Sequence, residues 1–158
     1  MSPAKPALRA ALDVRDLAAD DLEAVVRIDA RTTGRRKAAW WRKVFERFLH
    51  PEVPGGEIGL GVLEGAEVVG FVFGEVRAFE FGSEACGWIF GIGVHPDHRR
   101  AGAASALLDA ALERFHGAGV TRVRTMVRRN DVPLLALFRS QGWRGGSFVQ
   151  LERDLDEA

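Results

Sequence analysis

The sequence has a single cysteine, no tyrosine and a formal net charge of zero. One thiol, Cys86, excludes an intrachain disulfide and a metal site built from several cysteines. Because acidic and basic residues are equal in number, the basic excess expected of an obligate nucleic-acid-binding protein is missing. The sequence also has no apolar run of about 18 residues, the length needed for a membrane-spanning helix. These absences argue against nucleic acid and membrane as obligate partners.

The apolar content of the chain is sufficient for one hydrophobic core. Its 158 residues are 47% hydrophobic, which suits a single compact domain. We expect residues 1–10, which are rich in proline and alanine, to form a flexible N-terminus, and residues 11–158 to form the domain. Since the N-terminal segment contains no apolar core of a secretory signal, the expected location is cytoplasmic.

Hydrophobic periodicity predicts strands and helices in the order β-α-α-β-β-β-α-β-α-β. The predicted strands cover residues 12–17, 58–64, 67–81, 84–94, 121–127 and 147–153. The predicted helices cover residues 20–31, 35–49, 102–117 and 130–141. Such an order with mixed strand directions is typical of an α/β layer architecture. The strand at 84–94 is apolar on both faces, which indicates a central position in the sheet.

A segment from Val94 to Leu108 joins that central strand to the clearest predicted helix. The chain turns at Pro96, and Arg99 and Arg100 precede a run of small residues that includes Gly102. A helix start offers unpaired N–H groups and a partial positive charge, small side chains permit close approach, and arginines add charge-assisted hydrogen bonds. The segment therefore predicts a phosphate or pyrophosphate site. The alternative is an ordinary tight turn in which the small residues serve only close packing.

This segment resembles motif A of the GNAT superfamily (Gcn5-related N-acetyltransferases), V-x-P-x-x-[RQ]-x-x-G-x-[GA]. The defined positions are occupied by Val94, Pro96, Arg99, Gly102 and Ala104. Arg100 stands where many members have glycine, and Ala101 stands where many have a basic residue. A second resemblance lies near the C-terminus, where many members have an asparagine, a tyrosine seven residues later and Gly-Phe four residues after that. Here those positions hold Asp131, Phe138, Gly142 and Trp143.

The resemblance extends from about Leu12 to Leu155 and implies a GNAT fold. That fold has a central mixed, mostly antiparallel sheet with helices on both faces and a splay between strands 4 and 5. The implied activity is acetyl-CoA-dependent transfer of an acetyl group directly to an amine of a small molecule, protein or peptide. With acetyl-CoA as co-substrate, the implied cofactor-binding residues are Ile92, Gly93, Val94, Arg99, Arg100, Ala101, Gly102, Ala103, Ala104 and Phe138.

Candidate catalytic groups follow from the same resemblance. The backbone N–H of Ile92 would stabilise the oxyanion of the tetrahedral intermediate. Glu84 or Glu75 would attract the amine or relay its proton through water, and the alternative for each is a solvated carboxylate at the end of a strand. Phe138 replaces the tyrosine that many relatives use as the acid for the leaving thiolate. Cys86, on an apolar strand, is expected to be inert packing. Four scattered histidines and one cysteine predict no metal site.

The missing tyrosine keeps a second hypothesis open, that of a non-catalytic acyl-CoA-binding or regulatory module. A third, a phosphate- or nucleotide-binding domain unrelated to CoA, would not account for the second motif. The sequence does not identify the acceptor amine, and a homodimer is compatible with it. We expect the aromatic stripe from Trp40 to Phe48 to pack in the core, and the alternative is that part of it lines an acceptor pocket.

Overall fold

The computed structural model describes residues 12–156, apart from the side chains of Arg100 and Ala101. The predicted flexible N-terminus, residues 1–10, lies outside the described residues. The chain divides into two compact units, the first ending at Met126 and the second beginning at Val127. In the described residues, the first unit contains a sheet and three α-helices, and the second contains one α-helix.

The strands of the first unit form one five-stranded sheet. They are β1 (Asp13–Asp16), β2 (Glu57–Glu64), β3 (Glu67–Arg77), β4 (Cys86–Val94) and β5 (Val123–Thr125). Neighbours in the order β1-β2-β3-β4-β5 pair antiparallel, except that β5 is parallel to β4. The predicted mixed, mostly antiparallel sheet is therefore confirmed.

Helices cover both faces of this sheet, as predicted. They are α1 (Leu22–Thr33), α2 (Ala38–Leu49) and α3 (Ala103–Gly117). On one face, Ile28 of α1 and Trp41 of α2 belong to a buried cluster that includes Phe71 of β3. On the other face lies Phe115 of α3, which is fully buried. A Cβ added at Gly87 of β4 would lie 2.7 Å from the ring of Phe115, so this glycine permits the close approach of α3.

A buried carboxylate ties α1 to the start of α2. Asp29 is only 6% exposed, and its Oδ2 accepts a hydrogen bond of 2.9 Å from the indole Nε1 of Trp41. The same oxygen lies 2.9 Å from Nζ of Lys37. The backbone oxygen of Asp29 accepts hydrogen bonds from the hydroxyls of Thr32 and Thr33, at 3.0 and 2.8 Å. Asp29 therefore satisfies the polar groups at the junction between the two helices.

The second unit contains helix α4 (Val132–Ser140), which begins as predicted. The side chain of Asp131 caps it by accepting a hydrogen bond of 3.2 Å from the N–H of Leu134. Phe138 is buried and meets Trp143 edge to face, with ring centroids 4.9 Å apart. Within residues 12–156, no helix combines the length and the apolar character needed to cross a bilayer.

The predicted last strand, residues 147–153, is wrong, because this segment does not pair with any strand of the described sheet. Its apolar residues Phe148, Val149 and Leu151 are 49%, 80% and 89% exposed. An alternating pattern specifies which side chains share a face, but a strand also needs a neighbouring strand to bond its N–H and C=O groups. The sequence pattern carries no information about that neighbour.

Four other predicted strands are shorter in the structure. β1 covers only Asp13–Asp16, and β5 covers only Val123–Thr125. β3 ends at Arg77 rather than at residue 81, and β4 begins at Cys86 rather than at residue 84. Phe79 and Phe81 have positive φ angles of 60° and 53°. These angles lie outside the extended region, so the chain leaves the strand conformation before them despite their high strand propensity.

Candidate functional site

β4 separates from β5 after three paired residues. The parallel pairing covers Gly87 with Val123, Trp88 with Arg124 and Ile89 with Thr125. It ends with a hydrogen bond of 3.0 Å from the hydroxyl of Thr125 to the backbone oxygen of Ile89. Among the described strands, the rest of β4 pairs with β3 alone. The predicted splay between strands 4 and 5 is confirmed, and it leaves the second half of β4 with an open edge.

A β-bulge lies where this open edge begins. Ile89 pairs with Gly74 of β3, whereas Gly91 pairs with Phe73, so Phe90 is an extra residue on β4. Successive residues of a strand direct their backbone groups to opposite sides. One extra residue therefore reverses which residues of β4 direct their N–H and C=O toward β3.

The bulge determines which backbone groups the open edge presents. The N–H of His95, which follows β4, bonds to the oxygen of Val69 in β3 at 2.7 Å. By alternation, Gly93 also directs its N–H and C=O toward β3, whereas Ile92 and Val94 direct theirs toward the open edge. Of the three β4 residues that the resemblance implies in cofactor binding, Ile92 and Val94 thus have outward-facing amide groups, whereas Gly93 does not.

The glycines of β4 make room for core aromatics. A Cβ at Gly93 would lie 2.9 Å from the ring of Phe71, and one at Gly91 would lie 3.3 Å from the ring of Trp41. These glycines thus let Ile28 of α1, Trp41 of α2 and Phe71 of β3 pack closely against β4.

The predicted anion site lies at the turn between β4 and α3. Residues Pro96–Ala101 form a 3₁₀ turn, which begins with a hydrogen bond of 3.2 Å from the N–H of Asp97 to Nδ1 of His95. Gly102 then takes a left-handed conformation, with φ of 77°, immediately before α3 begins at Ala103. The N-cap residue Gly102 has no side chain, so it makes no side-chain cap hydrogen bond to the start of α3.

Some side chains of this turn are exposed to solvent, and others form hydrogen bonds. Arg99 is exposed, and in the described part of the chain it forms no ion pair. Nδ1 of His98 forms a hydrogen bond with Oε2 of Glu64. The predicted contributions of Arg100 and Ala101 rest on side chains outside the described part of the chain. Arg99 is therefore the described cation of the turn that is available to an anion.

A pocket of about 420 Å³ lies next to the bulge, on the α2 side of the sheet. We call it the α2 pocket, and it is lined by Trp40, Lys43, Val44, Arg47, Glu75, Arg77 and Phe90. Its residues come from α2, β3 and β4, which are distant in sequence. Glu75 and the Trp40 stripe were singled out from the sequence, but the cations were not. Lys43 and Arg47 are four residues apart, so they lie on one face of α2 beside Trp40. This spacing could have identified both cations from the sequence.

The carboxylate of Glu75 is shared between two guanidinium groups. Its Oε1 accepts a hydrogen bond of 2.9 Å from Nε of Arg77, and its Oε2 lies 3.7 Å from a terminal nitrogen of Arg47. Nε of Arg47 also lies 3.2 Å from Oε1 of Glu57. Burial raises the pKa of Glu57 above its ordinary value, although the charge of Arg47 acts in the opposite direction.

Two other predicted groups lie away from this open edge. Glu84 is exposed and precedes Ile92 by eight residues along the chain, about 25 Å for extended backbone. The structure does not bring these two residues together. Cys86 is buried, and its Sγ lies 3.3 Å from a terminal nitrogen of Arg124. Among residues 12–156, no three His, Cys, Asp or Glu side chains form a group that could hold a metal ion.

The fold and one large part of the sequence match known proteins. Residues 14–143 match the model of the Acetyltransferase (GNAT) family. No curated protein matches the chain.

Solved structures match over nearly the whole chain. The complex of AAC(6')-Iy with the bisubstrate analog CoA-S-monomethyl-acetylneamine has a TM-score of 0.79 and 16% identity, covering 92% of this chain and 99% of that chain. A ribosomal-protein-alanine N-acetyltransferase from Brucella melitensis biovar Abortus 2308 has a TM-score of 0.72 and 19% identity, with 92% and 100% covered. A transcriptional regulator from Bacillus halodurans C-125 has a TM-score of 0.77 and 18% identity, with 92% and 100% covered. At these identities the likeness shows the fold.

Proposed function

The chain belongs to the Acetyltransferase (GNAT) family, and from this premise we propose that it transfers an acetyl group from acetyl-CoA directly to an amine. The observation that carries the proposal is the open edge of β4. Ile92 and Val94 direct their backbone N–H and C=O groups toward that edge. A pocket that contains both charged and aromatic side chains lies beside it. Binding the thioester along the edge would place the acetyl group next to an amine held in the pocket.

The described residues fit the chemistry of acetyl-CoA. The pantetheine arm of CoA contains amides, which are matched by the outward-facing N–H and C=O groups of Ile92 and Val94. Its pyrophosphate is matched by the uncapped start of α3, next to the exposed guanidinium of Arg99. Gly102 has open space where a Cβ would stand, so a phosphate would meet no side chain there.

Direct transfer requires the neutral amine nitrogen to attack the thioester carbonyl carbon. As the C–N bond forms, the carbonyl electron pair moves to oxygen, and the N–H of Ile92 would donate a hydrogen bond to this oxyanion. When the carbonyl re-forms, the C–S bond breaks and CoA leaves as a thiolate. The nitrogen loses its proton to water or to Glu75, and water protonates the thiolate. The products are an N-acetyl amide and CoA.

Phe138 supports a second candidate function, because it has no hydroxyl to protonate the thiolate. A chain that binds acyl-CoA without transferring the acyl group would act as a binding or regulatory module. Loss of one general acid costs about 10²–10⁴-fold in rate, which slows transfer without abolishing it. We therefore place catalysis first. The expected contact of Phe138 with the cofactor, the cytoplasmic location and the homodimer stay predictions.

Release of the CoA thiol tests the proposal. With acetyl-CoA and a panel of primary amines, we expect thiol release above the rate of hydrolysis for at least one amine, with an N-acetyl product of the corresponding mass. Acetyl-CoA without an amine is the control for hydrolysis. Saturable acetyl-CoA binding without thiol release from any amine would contradict catalysis and favour the binding module.

A further inference from the structure

The α2 pocket presents three cations and one carboxylate to a ligand. Lys43, Arg47 and Arg77 line it together with Glu75. Glu57 lies 3.2 Å from Arg47 and Glu80 lies 3.9 Å from Arg77, so two of these cations have carboxylate partners of their own. Lys43 is the cation of the lining that has no ion pair within the described residues. An anionic group of an acceptor would be attracted to Lys43, whereas a further cation would be repelled there.

The cations of the pocket have donors to spare. Nε of Arg77 donates to Glu75 and lies 3.9 Å from Oε1 of Glu80, and its guanidinium lies over the ring of Trp88. The two terminal nitrogens of Arg77 donate no hydrogen bond to the described residues. Lys43 forms no ion pair within residues 12–156. Arg47 is paired with Glu57 at 3.2 Å, so Lys43 and the terminal nitrogens of Arg77 are the donors that remain. A guanidinium with free terminal nitrogens and an ammonium on a flexible stem are suited to bind a carboxylate.

The carboxylate of the pocket also has free capacity. Oε1 of Glu75 accepts the hydrogen bond from Arg77, whereas a terminal nitrogen of Arg47 lies 3.7 Å from Oε2. That distance exceeds a normal hydrogen bond, so Oε2 retains acceptor positions. An ammonium group is a ligand of matching charge and geometry for this oxygen.

The remaining wall of the pocket is apolar and aromatic. Trp40 is 47% exposed, and Phe90 is half-buried at the bulge of β4. The pocket volume of about 420 Å³ lies at the small end of the usual range for small-molecule sites, about 300–1,000 Å³. The pocket thus combines sites for a carboxylate, an ammonium and an apolar body within the volume of a small molecule.

We propose that the α2 pocket selects a small zwitterionic amine, one that carries a carboxylate and an apolar group, as the acceptor. The inference rests on the proposed function for the chemistry that follows binding. Lys43, with the free nitrogens of Arg77, binds the carboxylate. Oε2 of Glu75 binds the ammonium before it loses its proton, and Trp40 packs against the apolar group. Neamine, the aminoglycoside part of the analog bound to AAC(6')-Iy, carries several amines and no carboxylate, so this pocket disfavours it.

Binding of matched amines to the CoA-saturated protein tests this selectivity directly. The probes are L-phenylalanine with 2-phenylethylamine, and L-leucine with 3-methylbutylamine, measured by titration calorimetry at one pH. In each pair the two molecules differ only in the carboxylate. We expect the carboxylated member of at least one pair to bind about tenfold more tightly or better, the scale of a hydrogen bond to a charged group.

Variants of α2 assign the selectivity to the pocket. In Lys43→Glu we expect the preference for the carboxylated amine to disappear and binding of the aminoglycoside neamine to strengthen. Arg42→Glu is the matched control, because Arg42 is exposed on the same helix and does not line the pocket. It should keep the wild-type preference. Lys43→Gln, which removes the charge without reversing it, should give an intermediate result.

Two outcomes would overturn the proposal. One is that no carboxylated amine binds more tightly than its partner, and the other is that the preference survives unchanged in Lys43→Glu. Thiol release from acetyl-CoA is measured separately on the same amines. A preference that depends on Lys43, without thiol release, would contradict the proposed acetyl transfer and leave the selectivity of the pocket supported.

Discussion

Ile92→Pro is expected to lower kcat for acetyl transfer by about 10²–10³-fold, the usual cost of removing one oxyanion donor. Proline has no N–H, and the N–H of Ile92 faces the open edge of β4 rather than β3. The substitution therefore removes no hydrogen bond from the sheet, which is the position at which strands tolerate proline. The loss should appear in kcat more than in the affinity for the acceptor, because the oxyanion exists only after attack.

Two further variants separate the N–H from other effects of the change. Ile92→Ala removes the side chain and keeps the N–H, so it should retain most of the activity that Ile92→Pro loses. Gly93→Pro removes an N–H that faces β3, so it should destabilise the fold by about 1–3 kcal/mol, the cost of leaving a buried acceptor without its donor. Equal activities of folded Ile92→Pro and Ile92→Ala would show that the N–H of Ile92 does not stabilise the oxyanion.

Asp29→Ala is expected to lower the free energy of unfolding by about 3 kcal/mol, the low end of the range for breaking a buried ion pair. The substitution leaves the buried Nε1 of Trp41 without its acceptor and Lys37 without its partner. The low end applies because the side chain of Lys37 is 34% exposed and can be hydrated. Urea denaturation monitored by circular dichroism would measure the change.

Asp29→Asn is the matched variant, since its amide oxygen still accepts from Trp41 while the charge opposite Lys37 is lost. It should lose less stability than Asp29→Ala. Asp29 holds the start of α2, and this helix carries Trp40 and Lys43 of the α2 pocket. Asp29→Ala should therefore also weaken binding of the acceptor more than Asp29→Asn does. A loss below about 1 kcal/mol in Asp29→Ala, the scale of a surface pair, would contradict the role given to this carboxylate.

Local patterns predicted the elements that bury a continuous apolar face. The stripe that includes Leu107, Leu108, Ala111 and Phe115 predicted α3, and all four residues are buried. The alternating pattern at 147–153 failed, because a strand depends on a neighbour that the segment itself does not specify. Periodicity thus identified the elements that bury an apolar face of their own. It misassigned a segment that would be a strand only if a neighbouring strand paired with it.

The candidate site was predictable only in part for a related reason. The motif around Arg99 and Gly102 is continuous in sequence, and it identified the turn before α3. The position of the bulge at Phe90 depends on the pairing of β4 with β3, so the residue pattern of β4 alone does not specify which backbone groups face outward. The α2 pocket joins Lys43 to Arg77 across two elements, and only the fold brings such residues together.

Equilibrium titration of the protein with acetyl-CoA, free CoA and ATP tests the central claim most directly. We expect saturable binding of acetyl-CoA and CoA, and much weaker binding of ATP, because ATP has no pantetheine arm for the open edge of β4. Arg99→Ala should weaken CoA binding by about 1.5–3 kcal/mol, the scale of a hydrogen bond to a charged group. Absence of acetyl-CoA binding by folded protein, or equal affinity for ATP, would contradict the assignment of this edge as an acyl-CoA site.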